Sequence, residues 1–259
     1  RHPDPESLAE KDPKGQFYAR FLPRRLVAEE IRDAMLRVSG ELNPRVGGIP
    51  VRPDINPEVA FQPRQIMGGT ASVYEPDPLP GQRNRRTLYA EKLRGLRDPF
   101  LEAFNQPGPD ASCELRESST VAPQALTLLN AEEVQDRALA FANRLIKEGN
   151  SESTTIKRAF ELALGRAAGK EEVELCVERW NIATISESQK NPVAPSFPKK
   201  IKRTVMAEKT GEPYDFWEFL PAFKSYQPDL QRSDTDARTR GLAHVCLVLF
   251  NSNEFAYLD

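Results

Sequence analysis

The chain has 259 residues, 39% of them apolar and 29% charged, and a net charge of −2. With no basic excess it does not read as a nucleic-acid binder, and no run reaches the roughly 18–20 apolar residues of a membrane span. Proline outnumbers glycine, 22 to 14, which implies long, ordered, irregular connections rather than a bundle with short turns.

Residues 1–22 are charged and proline-punctuated, with an aromatic patch at Phe17, Tyr18 and Phe21 expected to pack on the body. The start at Arg1, without a methionine or an apolar signal region, reads as that of an excised or processed piece. A helix is predicted from Pro23 to Ser39, where Val27, Ile31, Ala34, Met35 and Val38 recur at helical spacing and Gly40 suits the stop. Its other face carries Glu29, Arg32, Asp33 and Arg37, read as solvated or cross-linked charges. From Asn43 to Arg83 the prolines exclude any helix, leaving short extended pieces at Ile66–Met67 and Ala71–Tyr74. The Gly47–Gly48 and Gly68–Gly69 pairs lack the strand and helix a phosphate loop needs, so they read as tight turns. Asn84–Arg94 alternates enough for a strand, Pro99–Phe104 for a short helix with proline in its first turn, and Ser112–Glu117 is a polar loop.

Helical periodicity then dominates. A turn over Pro123–Leu129 breaks at Asn130, and helices follow over Ala131–Glu148, Thr154–Gly165 and Gly169–Ile185, predicting an antiparallel helical layer. Residues 186–233 read as a long loop whose basic cluster (Lys199, Lys200, Lys202, Arg203) is solvated. Its aromatics Phe216, Trp217, Phe219, Phe223 and Tyr226 are expected to be pinned against the body. Ser233 or Asp234 is the expected cap of a final helix carrying Leu242, Val245, Cys246, Leu247, Val248, Leu249 and Phe250. That run is apolar nearly all round, so it predicts a central strut that stops at Asn251–Asn253 and leaves Phe255 and Tyr257 to dock. The sum is a mainly α fold in a single domain, 1–259, with long ordered Pro/Gly-rich loops and at most a few short strands.

Candidate chemistry is sparse. Cys113, Cys176 and Cys246 sit in no C-x-x-C or C-x-x-C-H setting, so neither zinc nor covalent haem is supported. Cys176 and Cys246 fall on apolar helix faces and read as buried thiols, with one disulfide still open in an oxidising compartment. With only His2 and His244, a histidine-built metal or haem site is excluded, and His244 in a core helix reads as structural. The 38 acids leave paired carboxylates or a loop-built calcium site open, with no diagnostic spacing for either.

Five blocks, RRLVAEEIRDAMLRVSGEL at 24–42, NRRTLY at 84–89, SCELRESSTVAPQALTLLN at 112–130, residues 159–166 and residues 204–259, resemble the planctomycete family called domain of unknown function 1553. The most specific strings are APQALTLLN and LVLFNSNEF. The resemblance implies the C-terminal domain of a larger exported, periplasmic protein. Haem c would sit in an upstream cytochrome-like module, with no cofactor in this chain. It also implies upstream domains or other exported proteins as partners. It carries no catalytic motif. The polar residues of the dense blocks, Arg85, Arg86, Arg116, Glu117, Gln124, Asn130, Asn251, Asn253 and Glu254, are the ligand-site candidates. The same groups can equally satisfy loop backbone. Two readings stay open: a non-catalytic binding or assembly module, or part of a periplasmic, oxidative enzyme acting on carbohydrate. Convergence of Arg85, Arg116, Asn130 and Glu254 in an open pocket would favour the enzyme or a ligand site.

Overall fold

The computed structural model describes residues 10–13, 16, 17, 23–66, 69–117 and 119–258. Of the aromatic patch expected near the start, Tyr18 and Phe21 lie outside these residues, and Phe17 is exposed.

The elements are mainly helical. Helix α1 (Ala28–Ser39) begins where the Glu30 carboxylate accepts from the Val27 N–H at 2.9 Å, and it ends at Gly40, whose φ of 84° only glycine adopts freely. Single-turn helices follow, α2 (Pro57–Ala60) and α3 (Pro80–Arg83), within the stretch where prolines were expected to exclude any helix, and α4 (Pro99–Ala103), each with proline in its first turn, where the missing N–H costs nothing. Then come α5 (Ala122–Asn130), α6 (Glu132–Lys147), α7 (Glu152–Leu164), α8 (Lys170–Ser188), α9 (Ala237–Phe250) and the short α10 (Asn253–Ala256). Ala131 closes α5 and opens α6, which gives the break expected at Asn130.

Helix α9 packs most extensively on α8 and α6, with α7 beside it and α1 on the other side of α6. Leu242, Val245, Cys246, Leu249 and Phe250 are buried between these neighbours. Phe250 stacks on Phe141 of α6 at 5.8 Å and meets Phe255 in a tilted contact at 4.9 Å, so the docking expected of Phe255 is found. Each such ring contributes roughly 1.5–3 kcal/mol on burial. The strut is not covered all round: Val248 is exposed, and His244 is half-buried. Its cap is Asp236, which accepts from the Thr239 N–H at 2.8 Å, rather than Ser233 or Asp234. Cys246 is buried, Cys176 half-buried and Cys113 exposed, all as free thiols.

Among the described residues the strands form three two-stranded antiparallel pairs. Segment β1 (Arg24–Arg25) pairs with β6 (Tyr257–Leu258), and β2 (Arg64–Ile66) with β3 (Gly69–Ala71). The third pair, β4 (Lys200–Met206) with β5 (Pro213–Phe219), lies inside the stretch read as loop. Its prolines bracket the hairpin instead of interrupting it, Pro213 sitting at the first position of its strand. Arg203, expected to be solvated with its basic cluster, is instead buried; it and Glu218 face the body, where they bond the Ala71 carbonyl and the Val73 N–H. On the other face Trp217 and Phe219 remain 54% and 70% exposed, contrary to the expectation that these rings are pinned. Phe223 and Tyr226 do pack, 5.2 Å apart and both against Phe197.

Asn84–Arg94 is not a strand. Only isolated bridges, Asn43 with Arg85 and Val51 with Ala90, flank a 3-10 turn at Thr87–Tyr89. Arg32 of α1 reaches into that turn and donates to the carbonyls of Arg83 and Arg85 and to Thr87 Oγ1, all at 3.2 Å. Asp33 accepts from Thr87 N at 2.7 Å and Oγ1 at 2.6 Å. These side chains replace the ladder bonds a strand would have made.

Candidate functional site

The dense polar blocks do not converge on one pocket. Arg85 is buried and donates to the carbonyls of Arg45, Gly47 and Ile49, while its guanidinium lies 4.3 Å from the centre of the Tyr89 ring. Carbonyls of a proline-rich loop that no ladder can reach are thus satisfied by one guanidinium fork. The Arg85→Ala chain is expected to lose about 1–3 kcal/mol and to be cleaved by protease within residues 43–51 well below its melting temperature. Limited proteolysis checks this; an unchanged cleavage pattern would count against the latch.

Arg86 is half-exposed beside Asp33 at 3.3 Å, and Glu117 is exposed. Gln124 and Arg116 share a knot centred on Asn105, which holds a left-handed φ of 61°. Asn105 Oδ1 accepts from Ser119 Oγ at 2.9 Å and Gln124 Nε2 at 3.2 Å, and its carbonyl accepts from Arg116 Nε at 3.2 Å. Arg116 also pairs with Glu29 at 2.8 Å, and Arg25 donates to Gln124. This knot ties Arg116 and Ser119 to α1, α4 and α5. Asn251 donates to the Leu128 and Leu247 carbonyls at 3.1 and 2.8 Å, closing α9 onto α5. Asn253 is exposed in α10. Glu254 forms a two-point pair with Arg166, both bonds 2.7 Å, and Arg166 also grips Glu172.

Asn130 lies elsewhere, on the wall of a cleft of about 620 Å³. Helix α1 gives this cleft Arg32 and Leu36, the 53–57 turn gives Asp54 and Ile55, and the start of α4 gives Asp98 and Phe100. Leu126 and Thr127 come from α5, and Glu132, Glu133, Asp136 and Arg137 from the first turns of α6. The arm bearing Pro195, Phe197, Tyr226 and Asp229 supplies further lining. Phe197 and Tyr226 meet at 4.5 Å, and Tyr226 donates its hydroxyl to Asp54 at 2.8 Å. Acids at the start of α6 sit well against its dipole, which accounts for the local sequence AEEVQDR.

Among the described residues the lining holds six carboxylates and two guanidiniums. Arg137 is buried and pairs with Asp229 at 2.5 Å and Glu41 at 2.8 Å; Arg32 pairs with Glu133 at 2.9 Å. Burial opposes ionisation of Asp229, but Arg137 and Arg83 outweigh it and hold its carboxyl below the usual range. The reverse holds for Asp98 and Asp136. Burial, aided by the charge of Glu133, pushes Asp98 up to about 7. Burial also pushes Asp136 up to about 7, with Glu132, Asp229 and Glu41 adding to it and Arg137 opposing.

Asp136 therefore makes stability depend on pH. Its folded pKa lies above the unfolded value, so the native state binds more protons between about pH 4 and 7, and stability falls as pH rises through that window. Asp136→Asn is expected to be more stable than the native chain at pH 8 by roughly 1–3 kcal/mol, the gain vanishing near pH 4. Urea titrations at the two pH values measure it, and a gain equal at both would refute the assignment.

His244 Nε2 lies 3.1 Å from Glu187 Oε1, away from the cleft, in a network with Arg232, Arg240 and Lys190. Sequence reading singled out neither Glu187 nor the cleft acids. Glu132 and Asp136, like charges one turn apart, were the available signal. Among the described residues no group of three or more histidine, cysteine, aspartate or glutamate side chains is placed to hold a metal ion, and no helix is long and apolar enough to cross a membrane. A family model described as a protein of unknown function (DUF1553) matches residues 2–180. No curated protein and no solved structure matches the chain.

Proposed function

The chain belongs to the DUF1553 family, and from that premise we propose that it is a non-catalytic binding module of an exported, cytochrome-c-linked protein, with the cleft between α1, α6 and the aromatic arm as its ligand site. The observation that carries the reading is the cleft itself. About 620 Å³ of concave space is lined by Leu126, Phe100 and Phe197 together with Asp98 and Asp136, whose carboxyl groups are raised to about 7, the mixture typical of small-molecule sites. Export and the link to a cytochrome-bearing parent rest on the resemblance of the sequence blocks.

A plug tests the site. Leu126 is exposed on the cleft wall, so Leu126→Trp fills the space without disturbing the core. A panel of small polar ligands is expected to raise the melting temperature of the native chain and leave the plugged chain unmoved. Equal shifts in both, or none in either, would sink the reading. Fractionation of cells that make the parent protein is expected to place it in the periplasm.

One observation favours the enzyme reading, a periplasmic activity on carbohydrate: Asp98 and Asp136, raised to about 7, have the pKa a general acid needs at neutral pH. On that reading Asp136→Asn abolishes turnover of a carbohydrate substrate while leaving its binding intact. Loss of binding with no turnover in the native chain returns the cleft to the module reading.

A further inference from the structure

Resting on the reading of the cleft as a ligand site, we infer that its ligand is an organic cation, a primary ammonium group carried on an apolar stem. The charge balance gives the sign. Both guanidiniums of the lining are committed: Arg137 to Asp229 and Glu41, and Arg32 to Glu133, Thr87 and two carbonyls. Among the described residues an anionic ligand would meet no free cation there and an excess of carboxylate. On the acid side, Asp54 is held by Arg83 at 2.6 Å and by Tyr226, and Asp98 caps α4 by accepting from the Phe100 N–H at 2.9 Å. Glu132 and Asp136 differ. Among the described residues no hydrogen-bond donor reaches either carboxylate, and both face the cleft from successive turns of α6.

Geometry gives the shape. Side chains four residues apart on a helix have Cβ atoms about 5–6 Å apart, so one group with three N–H donors can bridge two carboxylates without moving the backbone. The same lining is apolar at Pro123, Leu126, Pro195 and Phe197, where an alkyl stem is shed from water. A neutral polyol would satisfy hydrogen bonds but leave Glu132 and Asp136 repelling each other. A bare metal ion would find no three-ligand group among the described residues. Free di- and polyamines and the side chain of lysine in a polypeptide share the required chemistry.

Calorimetric titration of the whole chain at pH 8 and low salt tests this, with 1,5-diaminopentane, an N-acetyl-lysine amide and the uncharged 1,5-pentanediol as probes. The amines are expected to bind at least about tenfold more tightly than the diol, and Asp136→Asn to weaken them at least about tenfold while still unfolding cooperatively. Preference for the diamine points to a free amine, preference for the lysine amide to a polypeptide; either supports the inference. Diol binding as tight as amine binding, or amine affinity unchanged in Asp136→Asn, overturns it. If a neutral oligosaccharide binds and Leu126→Trp abolishes that binding, the cleft stands as a ligand site and the cationic ligand is wrong. If neither amine nor sugar binds, both fall.

Discussion

The Glu187→Ala chain is expected to unfold about 3–5 kcal/mol more easily than the native one, a loss on the order of 10 °C in melting temperature. Glu187 is fully buried near the end of α8 and holds four cationic or cation-capable groups. Oε2 accepts from Arg232 at 2.5 Å and Arg240 at 3.2 Å; Oε1 is 2.9 Å from Lys190 and 3.1 Å from His244. Arg240 is buried as well and also donates to the Glu187, Arg232 and Thr235 carbonyls. Truncating the carboxylate leaves the Arg240 charge buried without a counterion, which costs more than the pair contributes. Glu187→Leu combined with Arg240→Met is therefore expected to be less destabilised than Glu187→Ala alone. Burial pushes the Glu187 carboxyl up, but hydrogen bonds from Lys190 and His244 and the charge of Arg232 outweigh it and hold it at about 2. The unfolded chain then binds the extra proton, so this stability is full above about pH 4.5 and is lost as pH falls toward 2, a loss absent from Glu187→Ala. Urea midpoints at pH 7 and pH 3 measure both effects. A loss below about 1 kcal/mol at pH 7 would show that the network is ornamental.

The amphipathic helices were legible because their information is local. Val134, Ala138, Phe141, Ala142 and Leu145 state the inner face of α6 by spacing alone, and the stop at Asn130 is where the structure breaks. The hairpin was not, because Pro198, Pro213 and Pro221 read as loop residues until their positions at strand ends are known. Asn84–Arg94 alternates like a strand, yet Arg32 and Asp33, more than fifty residues away, occupy the polar groups a strand would pair. The same distance hides the sites. Glu187 meets partners 45, 53 and 57 positions on, and only its contact with Lys190 lies within a helical turn. The cleft draws on residues scattered from Arg32 to Gln231, and of the ligand-site candidates named from the sequence only Asn130 lines it. Arginines stood out by density, and in this fold they chiefly latch loop carbonyls and pair with nearby acids. The carboxylates of the cleft stood among 38 acids and carried no mark of their own.

Gly241→Ala is expected to destabilise the chain by about 3 kcal/mol, the opposite sign from the usual effect of this change within a helix. In an exposed helix interior, alanine in place of glycine gains roughly 1 kcal/mol by restricting the unfolded chain. Gly241 is instead buried in α9 where it crosses α8. A Cβ there would meet the Thr184 hydroxyl and lie 2.8 Å from the Thr184 backbone nitrogen and 2.9 Å from its Cα. The hydroxyl is not free to swing away, since it donates to the Trp180 carbonyl at 2.8 Å, and the backbone atoms move only if α8 moves. That helix is fixed by Trp180, whose ring nitrogen donates to the Arg238 carbonyl at 2.9 Å, and by Glu187 one turn beyond Thr184. Separating the two helices would thus strain both anchors at once, including the network that Glu187 organises. The double variant Thr184→Ala, Gly241→Ala distinguishes the two sources of the clash. If the backbone contact dominates, removing the hydroxyl recovers less than half of the loss in thermal melts. Full recovery would place the restriction in the Thr184 side chain and leave the close approach of α8 and α9 without energetic weight.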